Sequence, residues 1–135
     1  MGKPPALPMK PRVLLIEDNE TNRHLATFLL EQIGCEVHHA GDGARGLAMA
    51  ESSLPVLIVL DIQMPEMDGY EVATRLRASP ATRAIPVLVV TSYAQSGDRQ
   101  RAMALGVADY LEKPFEPDDF IARVTRLLPV QPPSP

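Results

Sequence analysis

Three stretches of the chain are almost continuously apolar: RVLLIE at 12–17, VLIVLD at 56–61 and PVLVVT at 86–91. A strand covered on both faces loses the alternation of a half-exposed one, so runs of this kind predict parallel strands flanked by helices. EVHHA at 36–40 and ADYLE at 108–112 are shorter strand candidates. Helical spacing fills the gaps between them. Leu25, Phe28, Leu29 and Ile33 recur at i, i+3, i+4 and i+8 and predict a helix buried along that stripe, with Gly34 placed to end it. Ala44, Leu47 and Ala48 give a weaker stripe. Asp68 followed three residues later by Glu71 has the spacing of a capping box and predicts a helix over 69–78. A fourth helix is expected near 97–105, bounded by Gly106. Pro117 suits a first helical position, Asp118 and Asp119 complement the positive end of a helix dipole, and Phe120, Val124, Leu127 and Leu128 form the stripe of a fifth.

The elements therefore run βα five times, with connections short enough for right-handed crossovers. The expected architecture is α/β, an open doubly wound sheet of five parallel strands. KPPALPMKP near the start and PVQPPSP at the end favour extended backbone and bury little, so residues 1–11 and 129–135 are read as proline-rich tails around one domain at 12–128. No internal repeat is evident.

Composition narrows the function classes. With 45% apolar residues in 135, the chain has the supply for one core, and its apolar runs are far shorter than a membrane span. No secretory leader or N-myristoylation motif is read at the start. A single cysteine, Cys35, cannot make an internal disulfide and fits the cytoplasm. The net charge of −4 argues against a nucleic-acid surface, and Arg99 and Arg101 stand among acids as a solvated helix face. Charge points to protein or small-ion partners.

In a doubly wound sheet, ligands bind outside the carboxyl ends of the strands. The unusual polar residues fall there: Glu17 and Asp18 after the first strand, Asp61 ending the third, Thr91 the fourth, and Lys113 after the fifth. Two carboxylates about 4 Å apart repel by roughly 4 kcal/mol at an effective dielectric near 20, so a group of three calls for a cation or a raised pKa. Mg²⁺, a hard ion that takes carboxylates and phosphate oxygens, fits the donor set, and Lys113 adds positive charge.

LLIEDN (14–19), VLDIQMPEMDG (59–69), VVTS (89–92) and YLEKPF (110–115), in this order and spacing, resemble the receiver domain of two-component response regulators over about residues 11–128. The resemblance implies the flavodoxin-like receiver fold with strand order 2-1-3-4-5. It implies that Asp61 accepts a phosphoryl group from a histidine kinase or a histidine phosphotransfer protein. Glu17 and Asp18 match the acidic pair that binds Mg²⁺, with Asp61 and the backbone carbonyl of Gln63 completing the protein ligands. Lys113 matches the lysine that pairs with the acceptor and then with a phosphoryl oxygen, across a Lys113–Pro114 bond expected to be cis. Thr91 would bond another phosphoryl oxygen, and Tyr110 matches the aromatic that turns inward when Thr91 moves. The readout surface implied is the fourth helix, fifth strand and fifth helix.

Such a protein is a phosphoacceptor that catalyses only its own phosphorylation and hydrolysis, and is not an enzyme acting on a separate substrate. Only 22 residues follow Lys113, so neither a DNA-binding nor an enzymatic output domain is expected, and a single-domain regulator is. Monomer and phosphorylation-dependent dimer both stay open. Two positions modify the family pattern: Ser92 stands where Ala is frequent, and Tyr93 is bulky enough to slow hydrolysis of the acyl phosphate relative to a Tyr93→Ala variant.

Other readings fit less well. A flavin mononucleotide binder of similar fold wants small hydroxyl and glycine residues after its first strand, where this chain has acids. A haloacid-dehalogenase-type phosphatase wants Asp-x-Asp there, against the adjacent Glu17-Asp18. A pseudo-receiver that binds partners without phosphorylation is disfavoured by the complete polar set. Cys35 and His39 fall on one strand face and His38 on the other, so a transition-metal site is not expected. Met64 and Met67 read as packing residues.

Overall fold

The computed structural model describes residues 10–64, 67–92 and 96–129. Five strands, β1 (Arg12–Ile16), β2 (Glu36–Ala40), β3 (Leu57–Asp61), β4 (Val87–Thr91) and β5 (Asp109–Glu112), alternate with five helices, α1 (Glu20–Gln32), α2 (Gly43–Ser53), α3 (Gly69–Ala78), α4 (Asp98–Ala104) and α5 (Pro117–Leu127). All strand pairs are parallel and the order is β2-β1-β3-β4-β5, as the resemblance implied. The residues expected to form tails lie, apart from Lys10, Pro11 and Pro129, outside the described residues.

The apolar runs divide residue by residue between two cores, as a period of two requires. Leu14, Ile16, Ile58, Leu60, Val87 and Val89 face the cluster that takes in α2 and α3. Val13, Leu15, Leu57, Val59, Leu88 and Val90 face the other, with α1 and α5. β3 and β4 are buried at every residue. A polar side chain on these strands is thereby confined to an end.

Helix starts follow their signals. Asn19, Asp42 and Asp68 cap α1, α2 and α3 by accepting from the backbone N–H three residues on. Asp68 and Glu71 form only half of the expected capping box, because the Glu71 carboxylate pairs with Arg75 at 2.9 Å. Pro117 opens α5, and Gly34 follows α1 at φ 91°.

Two buried faces differ from expectation. On α1 the buried residues are Ala26, Leu29 and Leu30, while Leu25 and Phe28 are 46% and 59% exposed. The stretch LATFLLEQI carries apolar residues on two neighbouring stripes, and packing against α5 and the sheet selects the one containing the small Ala26. On α2 the inner face is Gly43, Gly46 and Ala50, and Ala44 and Ala48 are exposed. There α2 lies so close to β1 that a Cβ on Gly46 would sit 2.5 Å from the Ile16 side chain. α5 buries Phe120 and Val124 as expected, with Leu127 and Leu128 half-buried. No described helix is long and apolar enough to cross a membrane.

An equally close approach lies beside Asp61. The Gly69 N–H donates to the Ile62 carbonyl at 2.7 Å, and a Cβ at Gly69 would meet the Ile62 Cα at 2.5 Å and the Asp61 carbonyl oxygen at 2.6 Å. α3 starts directly against the backbone that carries Asp61. Gly69→Ala is expected to cost about 1–3 kcal/mol in urea unfolding through this clash, whereas Gly41→Ala, with nothing within 4 Å of its Cβ, should stay within about 0.5 kcal/mol of wild type.

Candidate functional site

The carboxyl ends of the strands bring the expected polar residues together. The Glu17 N–H donates to the Ala40 carbonyl at 3.1 Å, which fixes the chain where β1 ends. The Lys113 N–H donates to the Thr91 carbonyl at 2.8 Å, which fixes the segment leaving β5 beside β4, and the Lys113–Pro114 bond that follows is cis. Asp61 closes β3 between them. Carboxylate oxygens of Glu17, Asp18 and Asp61 all lie within 4.8 Å of one another, with Glu17 and Asp61 buried and Asp18 exposed. No other such group of His, Cys, Asp and Glu is found among the described residues.

Lys113 Nζ lies 2.6 Å from Glu17 Oε1 and 3.9 Å from Asp61 Oδ2. The lysine thus sits closer to Glu17 than to Asp61, a pairing that the sequence reading missed. Asp61 Oδ1 accepts from the Gln63 N–H at 3.0 Å, which sets the plane of the carboxylate.

The charge balance is incomplete. Burial, then hydrogen bonding to and repulsion from Glu17, push the Asp61 carboxyl up to about 8, against the opposing pull of Lys113 and the Gln63 N–H. Glu17 Oε2 is buried with no hydrogen-bond partner among the described residues. An all-oxygen set with one orphaned buried carboxylate oxygen and a neighbour driven toward protonation has the donor chemistry that a hard divalent cation satisfies.

Two further buried groups stand unpaired. Thr91 Oγ1 and the Tyr110 hydroxyl have no partner among the described residues, although both residues are nearly inaccessible. A buried donor left unmade costs about 1–3 kcal/mol, so each is held by its surroundings and not by its own bonding. Tyr110 points inward. Ser92 is exposed, and Tyr93 lies outside the described residues. Beside the cluster a cavity of about 410 Å³ opens between α1 and α5, with Glu17, Asp61 and Lys113 at one end and Leu25, Ala26, Phe115 and Phe120 along its apolar wall.

The residues set aside stay apart from this site. Cys35 is buried under α1, where burial pushes its thiol up, and His39 is exposed on the edge strand. Met64 is buried in the α2–α3 core and Met67 packs against it.

The sequence profile of the response regulator receiver domain matches residues 13–125. The DNA-binding dual master transcriptional regulator RpaA of Synechocystis is 41% identical over 118 residues, 87% of this chain and 49% of its own length. The chain spans about half of that relative. The polar-differentiation response regulator DivK of Brucella anthropi is 37% identical over 120 residues, covering 89% of this chain and 98% of its own. Among solved structures, the receiver domain of a sensor histidine kinase from Pseudomonas aeruginosa, with a magnesium ion coordinated in its active-site cleft, superposes with a TM-score of 0.81 at 30% identity, over 88% of this chain and 98% of that one.

The raised Asp61 carboxyl has a measurable consequence in metal-free buffer. Because its folded value lies above the ordinary one, it contributes stability below about pH 4, and that contribution is lost as pH rises toward 8. Asp61→Asn, which has no proton to lose, should therefore gain on wild type between pH 4 and 8 and hold a constant advantage above that. Urea unfolding in EDTA across this range reads the difference, on the order of 5 kcal/mol at most by pH 8.5, since a carboxyl raised from 3.8 to about 8 forfeits about 1.4 kcal/mol for each pH unit between.

Proposed function

The chain belongs to the response regulator receiver family, and on that premise we propose that it is a phosphoacceptor whose Asp61 takes the phosphoryl group of a phosphohistidine on a histidine kinase or histidine phosphotransfer protein. The observation that carries this reading is the meeting of Asp61 with Glu17, Asp18 and Lys113 at the carboxyl end of the sheet. A carboxylate fixed in plane by the Gln63 N–H, on a rigid strand end, is oriented for in-line attack. An Asp61 oxygen forms the new bond to phosphorus. The phosphorus–nitrogen bond breaks, and its electron pair stays on the donor imidazole.

Glu17, Asp18 and Asp61 through their carboxylates, and Gln63 through its backbone carbonyl, would hold Mg²⁺, for which the orphaned Glu17 oxygen and the all-oxygen donor set argue. When bound, this ion supplies the positive charge that lets the carboxylates and the incoming phosphoryl oxygens share one site. Lys113 has the reach to leave Glu17 for a phosphoryl oxygen. The Thr91 hydroxyl, buried and unpartnered, is a donor in reserve for another. Its movement would be followed by Tyr110, and the surface of α4, β5 and α5 would carry the change to a partner protein.

The donor side of the site has its own character. Leu25, which lines the cavity, and Phe28, one turn further on, stand exposed on α1, which suits the approach of a protein that carries the phosphohistidine. The buried unpaired cysteine accords with a cytoplasmic setting. Phosphorylation and the fate of the phosphoryl group are the protein's own chemistry, with no separate substrate turned over.

The test is incubation of the full chain with acetyl phosphate, with and without Mg²⁺, read by intact mass. One phosphoryl should be gained in the presence of Mg²⁺ and lost on acid or hydroxylamine treatment, with no gain in Asp61→Asn. An unlabelled wild type that still binds its partner would mark a phosphorylation-independent binding module instead.

A further inference from the structure

α4 is the least secured helix of the fold. It has seven residues, its N-terminus carries no side-chain cap, and among its described residues only Ala102 is buried. A helix this short does not persist alone, so contacts from outside must fix its position. One side chain supplies two of them. The Tyr70 hydroxyl donates to Asp98 Oδ1 at 2.6 Å and lies 3.3 Å from the Asp98 carbonyl oxygen, at the first residue of α4. One turn on, the Arg101 guanidinium lies 3.8 Å above the centre of the Tyr70 ring. The rim and the face of one aromatic ring thus grip successive turns of α4.

Tyr70 is itself firmly placed. It is 7% exposed in the core between the sheet and α2–α4, and it follows Gly69, whose backbone touches Asp61 and Ile62. Burial and the bond to Asp98 push its phenol above the ordinary value, so the hydroxyl remains a donor at any working pH. Seven residues further along α3, the Arg77 guanidinium packs where a Cβ on Gly106 would stand, just past the end of α4. α3 therefore touches the chain at both ends of α4.

We propose that Tyr70 is a positioning residue that tethers α4 to the backbone next to Asp61 and so sets the resting position of a helix on the partner surface. The signalling use of that helix rests on the phosphoacceptor reading. The tether itself is a property of the unphosphorylated chain, and its test needs no phosphodonor.

Hydrogen–deuterium exchange of the full, unphosphorylated protein reads the tether directly. Tyr70→Phe keeps the ring and its packing and removes only the hydroxyl. Amides of residues 98–104 should exchange about tenfold faster in it, as loss of a hydrogen bond to a charged group predicts, while β1, β3 and β4 stay within about twofold. Asp98→Ala should give a change of the same sense, and the double variant should not exceed Asp98→Ala by much, since the Tyr70 hydroxyl acts on α4 through Asp98. Exchange in α4 that stays within twofold of wild type would overturn the proposal. So would an equal rise across the sheet, or effects of the two substitutions that simply add.

Discussion

Three carboxylates and one ammonium held at the end of a buried sheet are the constraint on which the rest of this structure depends. At the separations found, like charges repel by a few kcal/mol even with partial screening, and one lysine cannot neutralise three acids. The result is visible in the site: Lys113 goes to Glu17, Asp61 is pushed toward protonation, and a Glu17 oxygen has no partner among the described residues. Such an arrangement is poor for stability and has the donor chemistry of a site for a hard divalent cation. The fold must be rigid enough to impose it.

Rigidity comes from the parallel sheet and from two close approaches. Covered on both faces, β1, β3 and β4 bury nearly every side chain and have no freedom to splay and relieve the repulsion at their ends. Gly46 lets α2 settle onto β1 beside Glu17, and Gly69 lets α3 begin against the Asp61 backbone. The strain of the acid cluster is thus carried by well-packed strands. Less firmly bonded are the Thr91 and Tyr110 hydroxyls, buried without a partner among the described residues, and the short α4, joined to α3 through Tyr70.

The charged surface of α4 also reads differently once the fold is known. Arg99 and Arg101 look equivalent in sequence, two cations on a polar helix. Arg101 in fact covers the Tyr70 ring, so part of its surface is packing and not solvated charge. Asp98, which looks like an ordinary acid of a helical first turn, is the acceptor that joins α4 to α3.

Much was legible in the chain itself. The runs at 12–17, 56–61 and 86–91 announced buried parallel strands, because only a strand covered on both faces can be apolar at consecutive positions. The same logic put Glu17, Asp18, Asp61, Thr91 and Lys113 at strand ends, where a doubly wound sheet gathers them. What the chain could not tell was which of two adjacent stripes α1 buries, that α2 presents glycine and alanine inward, that Lys113 prefers Glu17 to Asp61, or that Tyr70 reaches Asp98. Periodicity reports a direction around one element, and it is blind to the distance between elements. Those choices belong to tertiary packing, in which the separation of two backbones decides whether Ala26 or Leu25 fits inside, and in which residues 28 positions apart in the chain come within 2.6 Å.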